Sequence, residues 1–326
     1  MFAVCLNTFR PRGFLTAAFA MVLACAAIPS VQAQAFNHPG ARHSRADLDL
    51  MKSRILANQQ PWKGAYDNMS AWGGHDGSGR SPSSLSFNPN PFSTINVGLY
   101  ENPKTGQDEG MTDATAAYIH AIRWYVTGNT AHAEKAIQIC NAWGTTLTSV
   151  QGANGKLAVS WIGGFFCEAA EIIKSTYPGS QPSDWTAFDN MLRNEFYPVI
   201  QNFEPSFNGN WDALITRTMM AMGIVLDDRA MYDRAKNYFL TGAGNGSLPG
   251  YVRTDGTTQE TTRDQRHEQM GVFALADTAE MAWKQGEDLY STSSNLLLKG
   301  LEGTAGRVDS QNFKAYPGWD IAYNHY

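Results

Sequence analysis

Apolar residues recur at helical spacing along nearly the whole chain. Ala114, Ala117, Tyr118, Ala121, Ile122 and Tyr125 follow the i, i+3, i+4, i+7 rule. So do Ala133, Ala136, Ile137, Cys140, Gly144 and Leu147, then Ile162, Phe165, Phe166, Ala169, Ile172 and Ile173. Trp211, Leu214, Ile215, Thr218, Met222 and Val225 repeat the pattern. Helix ends are marked by local chemistry. Ser44 with Asp47 forms a capping-box signature ahead of the first helix. Gly128-Asn129-Thr130 stops one helix and starts the next, and Asp227-Asp228 does the same between 211–226 and 229–240. Runs of alternating β-branched residues are lacking. The pattern predicts an all-α chain of helical hairpins joined by short turns.

A faint repeat supports the hairpins. Ala131-His132-Ala133-Glu134-Lys135-Ala136 is echoed by Ala230-Met231-Tyr232-Asp233-Arg234-Ala235, 99 positions later. That spacing suits two hairpins of about 50 residues each. Stacked hairpins form an open solenoid or close into a ring, an α/α toroid, and periodicity does not separate the two. Residues 73–110 and 242–258, rich in Gly, Ser, Pro and Asn, are too long for passive connections and are expected to carry function.

The first 33 residues break the hairpin pattern. Arg10 and Arg12 precede an apolar run from Phe14 to Ile28; Pro29-Ser30 ends it, and Val31-Gln32-Ala33 is a small-residue cleavage site. Residues 1–33 therefore read as a signal peptide and 34–326 as one domain, exported to the periplasm or beyond. A lipoprotein signal ending at Cys25 is the weaker alternative, because Leu23 fits its pattern poorly. The mature part has no stretch long and apolar enough for a membrane span.

Composition narrows the partners. Of 326 residues, 43% are hydrophobic and 17% charged, enough apolar material for a large core. The net charge of −5 becomes −7 once Arg10 and Arg12 leave with the signal. That argues against nucleic acid, and an anionic substrate needs a locally basic site. Cys5 and Cys25 also leave with the signal. Cys140 and Cys167 fall on apolar helix faces and are expected as buried thiols, neither bridged nor bound to zinc.

Three polar clusters could carry chemistry. The densest runs from Asp255 to Gln269, out of a glycine-rich loop into a helix, and helical spacing would put Glu260, Arg263 and His267 on one face. An imidazole beside a guanidinium tends to stay neutral and can act as a base, while the guanidinium can neutralise a carboxylate. An exposed, salt-bridged first turn explains the same residues equally well. His267-Glu268 is not a zinc motif, as a second His is missing. The second cluster is Asn208-Gly209-Asn210-Trp211-Asp212, where Asn210 or Asp212 could be a helix cap and Trp211 core. The third is Tyr323-Asn324-His325-Tyr326.

Taken together these residues resemble a family. Gln259-Glu260-x-x-Arg263-Asp264-Gln265-x-His267-x-Gln269-x-Gly271 is followed by Leu275-Ala276, Ala279-Glu280-x-Ala282-Trp283 and Gln285-Gly286-x-Asp288-Leu289-Tyr290. The string is similar to the alginate-lyase superfamily of secreted polysaccharide lyases, in the branch acting on glucuronan and alginate. Asn210-Trp211-Asp212 and the Tyr323–Tyr326 segment resemble two more signatures of that branch. The resemblance implies an α/α toroid and cleavage of a 4-linked polyuronate by β-elimination, without metal or organic cofactor, by a monomer. It implies His267, Arg263, Tyr323 and Tyr326 as catalytic residues, and Asn210, Trp211, Gln259, Glu260 and His325 as substrate-binding residues. Two departures stand out. Better-known alginate lyases carry a Tyr seven positions after the active-site Arg, where this chain has Met270, so the Tyr is expected from Tyr323 or Tyr326. Relatives also continue past the Tyr-Asn-His-Tyr segment, which implies a chain shortened at Tyr326 with weakened activity.

In β-elimination the uronate carboxylate is neutralised first, a base takes the C5 proton, and an acid protonates the leaving O4. Two rivals remain at this level. A glycoside hydrolase would use a pair among Asp212, Asp255, Glu260 and Asp264. A non-catalytic sugar-binding protein would need none of them.

Overall fold

The computed structural model describes residues 35–326 apart from 75, 76, 78 and 315. The expected signal peptide, with Cys5 and Cys25, lies outside the described residues. Ala35–Tyr326 form one compact unit.

The helices alternate between an inner and an outer layer. After α1 (Arg45–Leu56) and α2 (Trp62–Ala71), the hairpins begin with α3 (Gln107–Thr127) and α4 (Thr130–Thr146). The second hairpin is α5 (Gly155–Thr176) with an outer helix built from α6 (Thr186–Met191), a π-helical stretch Leu192–Phe196, and α7 (Tyr197–Ile200). Pro198 has no N–H to give to a helical ladder, and the π stretch just before it absorbs the mismatch. The third hairpin is α8 (Gly209–Val225) with α9 (Arg229–Thr241). A one-turn helix α10 (Leu248–Tyr251) then leads to α11 (Gln265–Lys284), α12 (Thr292–Arg307) and α13 (Pro317–His325). Helices α3, α5, α8, α11 and α13 pack on one another in succession, with α4, α6, α9 and α12 outside them. This is the α/α toroid. Every residue of α8 is buried, as an inner helix flanked on both sides and covered outside requires.

The sequence-marked ends are where the pattern put them. Ser44 caps α1 in a full capping box with Asp47. Gly128 ends α3 in the left-handed conformation that glycine adopts without a Cβ penalty, and Asn129 caps α4. Asp228 accepts from the Met231 N–H at the start of α9. Cys140 and Cys167 are buried free thiols. One departure is a small sheet, ordered β2-β1-β3, from β1 (Thr94–Val97), β2 (Lys104–Thr105) and β3 (Ser149–Gln151). Strands this short leave too few alternations to read.

Because the inner helices run the same way, their N-terminal ends share one face. The long loops and the sheet lie on that face. The opposite face carries the short turns and is strapped by residues 36–43. Asn37 bonds Gln285, His38 bridges Glu171 and Asp227, and Arg42 enters the ring. There Arg42 and Arg217 of α8 share Glu168 of α5 and Asp277 of α11. All four groups are buried, so the pairing ties three neighbouring inner helices to the strap. Gly164 leaves room for it: a Cβ there would stand 2.0 Å from an Arg217 guanidinium nitrogen. Among the described residues, no helix is long and apolar enough to cross a membrane.

Candidate active site

The first turns of α8 and α11 meet beneath the 252–264 loop. Asn208 takes the N-cap position of α8 without a side-chain cap bond. The free N–H groups are met from the loop instead: Gly209 N donates to Gln259 Oε1 (2.8 Å) and Asn210 N to Glu260 Oε2 (3.2 Å). Neither Asn210 nor Asp212 is the cap. Asp212 is sealed inside, accepting from Tyr238 OH and Glu204 N. Asn210 is buried one residue into the helix. Its Oδ1 accepts from an Arg263 nitrogen at 3.4 Å, and its Nδ2 points to Met270 Sδ at 3.4 Å.

Glu260 and Arg263 are not on α11. That helix starts at Gln265, with Asp264 as its cap. The tight turn before the cap brings the groups together all the same: Arg263 donates to Glu260 at 2.6 Å and to His267 Nε2 at 3.3 Å. Glu260 is wholly buried, with Tyr251 OH donating to it at 2.9 Å. Burial pushes the Glu260 carboxyl up, and the Arg263 and Tyr251 contacts offset this only in part.

Asp264 has two roles. It accepts from the His267 backbone N–H (2.9 Å), and its other oxygen lies 2.7 Å from His267 Nδ1. Burial pushes the Asp264 carboxyl up, but the His267 backbone N–H, the imidazole and the Arg263 charge outweigh it and hold the group below the usual aspartate range. A carboxylate on Nδ1 favours the tautomer that carries its proton there, with Nε2 accepting from Arg263. His267 is half-buried and Arg263 exposed, so solvent reaches both.

The structure thus unites His267, Arg263 and Asn210. Gln259 and Glu260 stand behind them as supports rather than as substrate contacts. Trp211 is buried, edge-on to Phe207 at 4.8 Å, and belongs to the packing beneath the cluster. Tyr323, His325 and Tyr326 are not part of it. Helix α13 runs alongside α11 in the same direction: Gly318 backs onto Phe273, and His325 meets Trp283. That register carries the segment to the far end of α11. Tyr323 is 86% exposed there, and Tyr326 donates to the Tyr290 carbonyl at 2.9 Å. Sequence reasoning missed the positioning roles of Asp264 and Tyr251. The spacing of Asp264 three residues before His267, ahead of an apolar run, is itself a cap signal.

A hydrolase pair does not assemble here. Asp212 is enclosed, Glu260 lies under Arg263, Asp264 is spent on the helix and His267, and Asp255 is exposed in the loop. Among the described residues, no three His, Cys, Asp or Glu side chains converge as a metal site would require.

The fold and sequence have known counterparts. The structure is similar to alginate lyase A1-III of Sphingomonas species A1, with a TM-score of 0.61 at 14% identity over 85% of this chain and 80% of that one. A variant of that enzyme holding a tetrasaccharide gives a TM-score of 0.64 at 15% identity over 85% and 79%. An alginate lyase from Bacteroides ovatus gives 0.58 at 13% identity over 87% and 88%. No match was found among curated protein sequences. The alginate lyase family model matches residues 101–310, which span α3 to α12 and include the whole Asn210, Arg263 and His267 cluster. The chain belongs to the alginate lyase family and is a polysaccharide lyase.

Proposed function

We propose that the mature chain, beginning near Gln34 after export, cleaves a 4-linked polyuronate at the Asn210, Arg263 and His267 cluster. The observation that carries this is the oriented imidazole. Asp264 holds Nδ1, Nε2 is left as the base, and a guanidinium and a buried amide adjoin it. Arg263 neutralises the uronate carboxylate and stabilises the enolate that forms on loss of the C5 proton, while Asn210, buried beneath it, holds the guanidinium in place. His267 Nε2 takes that proton.

The same cluster bears on the substrate. In 4-linked glucuronate and mannuronate the C5 hydrogen and O4 lie on one face of the ring; in guluronate they lie on opposite faces. A single imidazole can take the proton and hand it to O4 only in the first case. Tyr251 OH, the nearby phenol, is turned inward onto Glu260, and Met270 fills the position of the tyrosine in better-known enzymes. The substrate is therefore glucuronan or a mannuronan block.

The test is incubation with polyglucuronate, polymannuronate and polyguluronate, following ultraviolet absorbance of the unsaturated ends. Absorbance should rise with one or both of the first two and be lost in His267→Ala. Reducing ends without absorbance, or cleavage of polyguluronate alone, would overturn the proposal.

A further inference from the structure

The Tyr-Asn-His-Tyr segment is not at the cluster, yet it is not idle. His267 and Trp283 are 16 residues apart on α11, which puts the far end of that helix about 24 Å away. There a cleft of about 370 Å³ opens between α1 and α2 on one side and α11 and α13 on the other. Its lining includes Trp62, Trp283, Asn324, His325, Arg42 and Lys284.

Two tryptophans on separate helices both reach this cleft while 36% and 48% exposed. Large flat apolar faces left to water beside polar groups suit a ligand that is itself flat, with an apolar face and a polar rim. The platform is held still. His325 stacks on Tyr290 with centroids 3.7 Å apart and meets Trp283 edge-on at 4.7 Å. The polar groups are also fixed. Lys284 is pinned by Asp47 (2.8 Å) and Glu280 (2.7 Å). Arg42 is nine-tenths buried, its terminal nitrogens are taken by Glu168 and Asp277, and its Nε has no partner. Glu168 and Asp277 cover Arg42, and Asp47 and Glu280 cover Lys284, so the cleft mixes donors and acceptors with no surplus of positive charge. A phosphate or a nucleic acid would call for surplus positive charge. A pyranose ring calls for this mixture.

We infer that this cleft is a second saccharide-binding site, remote from catalysis, that stacks a pyranose ring between or upon Trp62 and Trp283. It rests on the proposed function only for the choice of polysaccharide. A site of this kind keeps a polymer on the enzyme between cleavage events and does nothing for a short substrate that fills the catalytic cluster alone.

The experiment is affinity electrophoresis of the intact protein through gels containing polyglucuronate or a neutral 4-linked glucan, beside turnover of a tetrasaccharide. The variants are Trp62→Ala, Trp283→Ala and the double change, with His267→Ala for contrast. Losing both platforms should weaken retention about tenfold, as two aromatic stacking contacts imply. Tetrasaccharide turnover should stay within about twofold, a difference too small to reflect a lost catalytic contact. His267→Ala should do the reverse. Trp283→Tyr, which keeps a flat ring, should retain binding. Trp62 sits on a helix with no buried residue, so Trp62→Ala keeps the test open should a Trp283 variant misfold. Weakening in both gels assigns a site for any pyranose, and weakening in polyglucuronate alone assigns one that reads the carboxylate. Unchanged retention of a folded double variant in both gels overturns the inference. So does a parallel fall in retention and turnover. Because retention needs no turnover, a chain that proves inactive on every polyuronate still answers this question.

Discussion

His38 makes the strap on the turn-bearing face pH-dependent. Its Nδ1 lies 2.7 Å from Glu171 and its Nε2 3.2 Å from Asp227. A neutral imidazole has one N–H and cannot donate to both carboxylates, so this geometry calls for imidazolium. The Glu171 hydrogen bond leads in pushing the His38 pKa from 6.5 up to about 9; burial opposes it, and the Glu171 and Asp227 charges add to it. A folded pKa above the unfolded one means stability present in full below pH 6.5 and lost as pH climbs through 9. The shift corresponds to about 3 kcal/mol at most, and screening on the exposed Asp227 side trims this to about 2 kcal/mol. Lys174 lines the same pocket and is bonded to Asp189. The assay is thermal unfolding of the native chain and His38→Gln at pH 6 and pH 9.5. Subtracting the variant removes every other titrating group. The native chain should lead by about 4 °C or more at pH 6, and the lead should shrink to near zero at pH 9.5. An equal lead at both pH values would refute the reasoning, since it would show that His38 contributes by packing and not by its charge.

Asp264→Asn should separate capping from catalysis. Asparagine caps a helix about as well as aspartate, so Tm should move by less than about 2 °C, while loss of the carboxylate on Nδ1 should lower turnover about a hundredfold or more; unchanged turnover in a polyuronate assay would remove the Asp264–His267 pair from the mechanism. Gly164→Ala should push the Arg217 guanidinium off Glu168 and lower Tm by about 6 °C or more in a thermal melt, because breaking a buried ion pair costs about 3–5 kcal/mol.

Local chemistry made the hairpins readable. A cap is written within three residues, so Ser44 with Asp47, Gly128-Asn129 and Asp228 announced their helices. The echo of 131–136 in 230–235 is the shared first turn of α4 and α9, outer helices two hairpins apart. What escaped was settled at long range. The cap of α8 comes from Gln259 and Glu260, about fifty residues downstream, which nothing around Asn208 could signal. The start of α11 was misjudged because a polar turn and a polar first helical turn have the same composition. Glu260 and Arg263 are neighbours through the turn, not through helical spacing. The Tyr-Asn-His-Tyr segment was drawn toward His267 by resemblance, and the register of α13 on α11 decides otherwise.

The charge of the chain and that of its proposed substrate then need reconciling. A chain of net −5 repels a polyanion on average, and the helix dipoles offer less help than the topology suggests. Parallel inner helices turn their positive ends to one face, but Glu260 covers the end of α8 and Asp264 that of α11. The attraction has to come from side chains. Arg266 is exposed one residue before His267, and Lys314 is exposed on a segment whose backbone N–H is tied to Gln269 Oε1 at 2.8 Å. With Arg263 they are cations near the first turn of α11, where Glu260 is met by Arg263, Asp264 by His267 and Glu268 by Arg307. At physiological salt a charge is felt over about 8 Å, so a bound uronate senses these side chains and little of the acidic surface elsewhere.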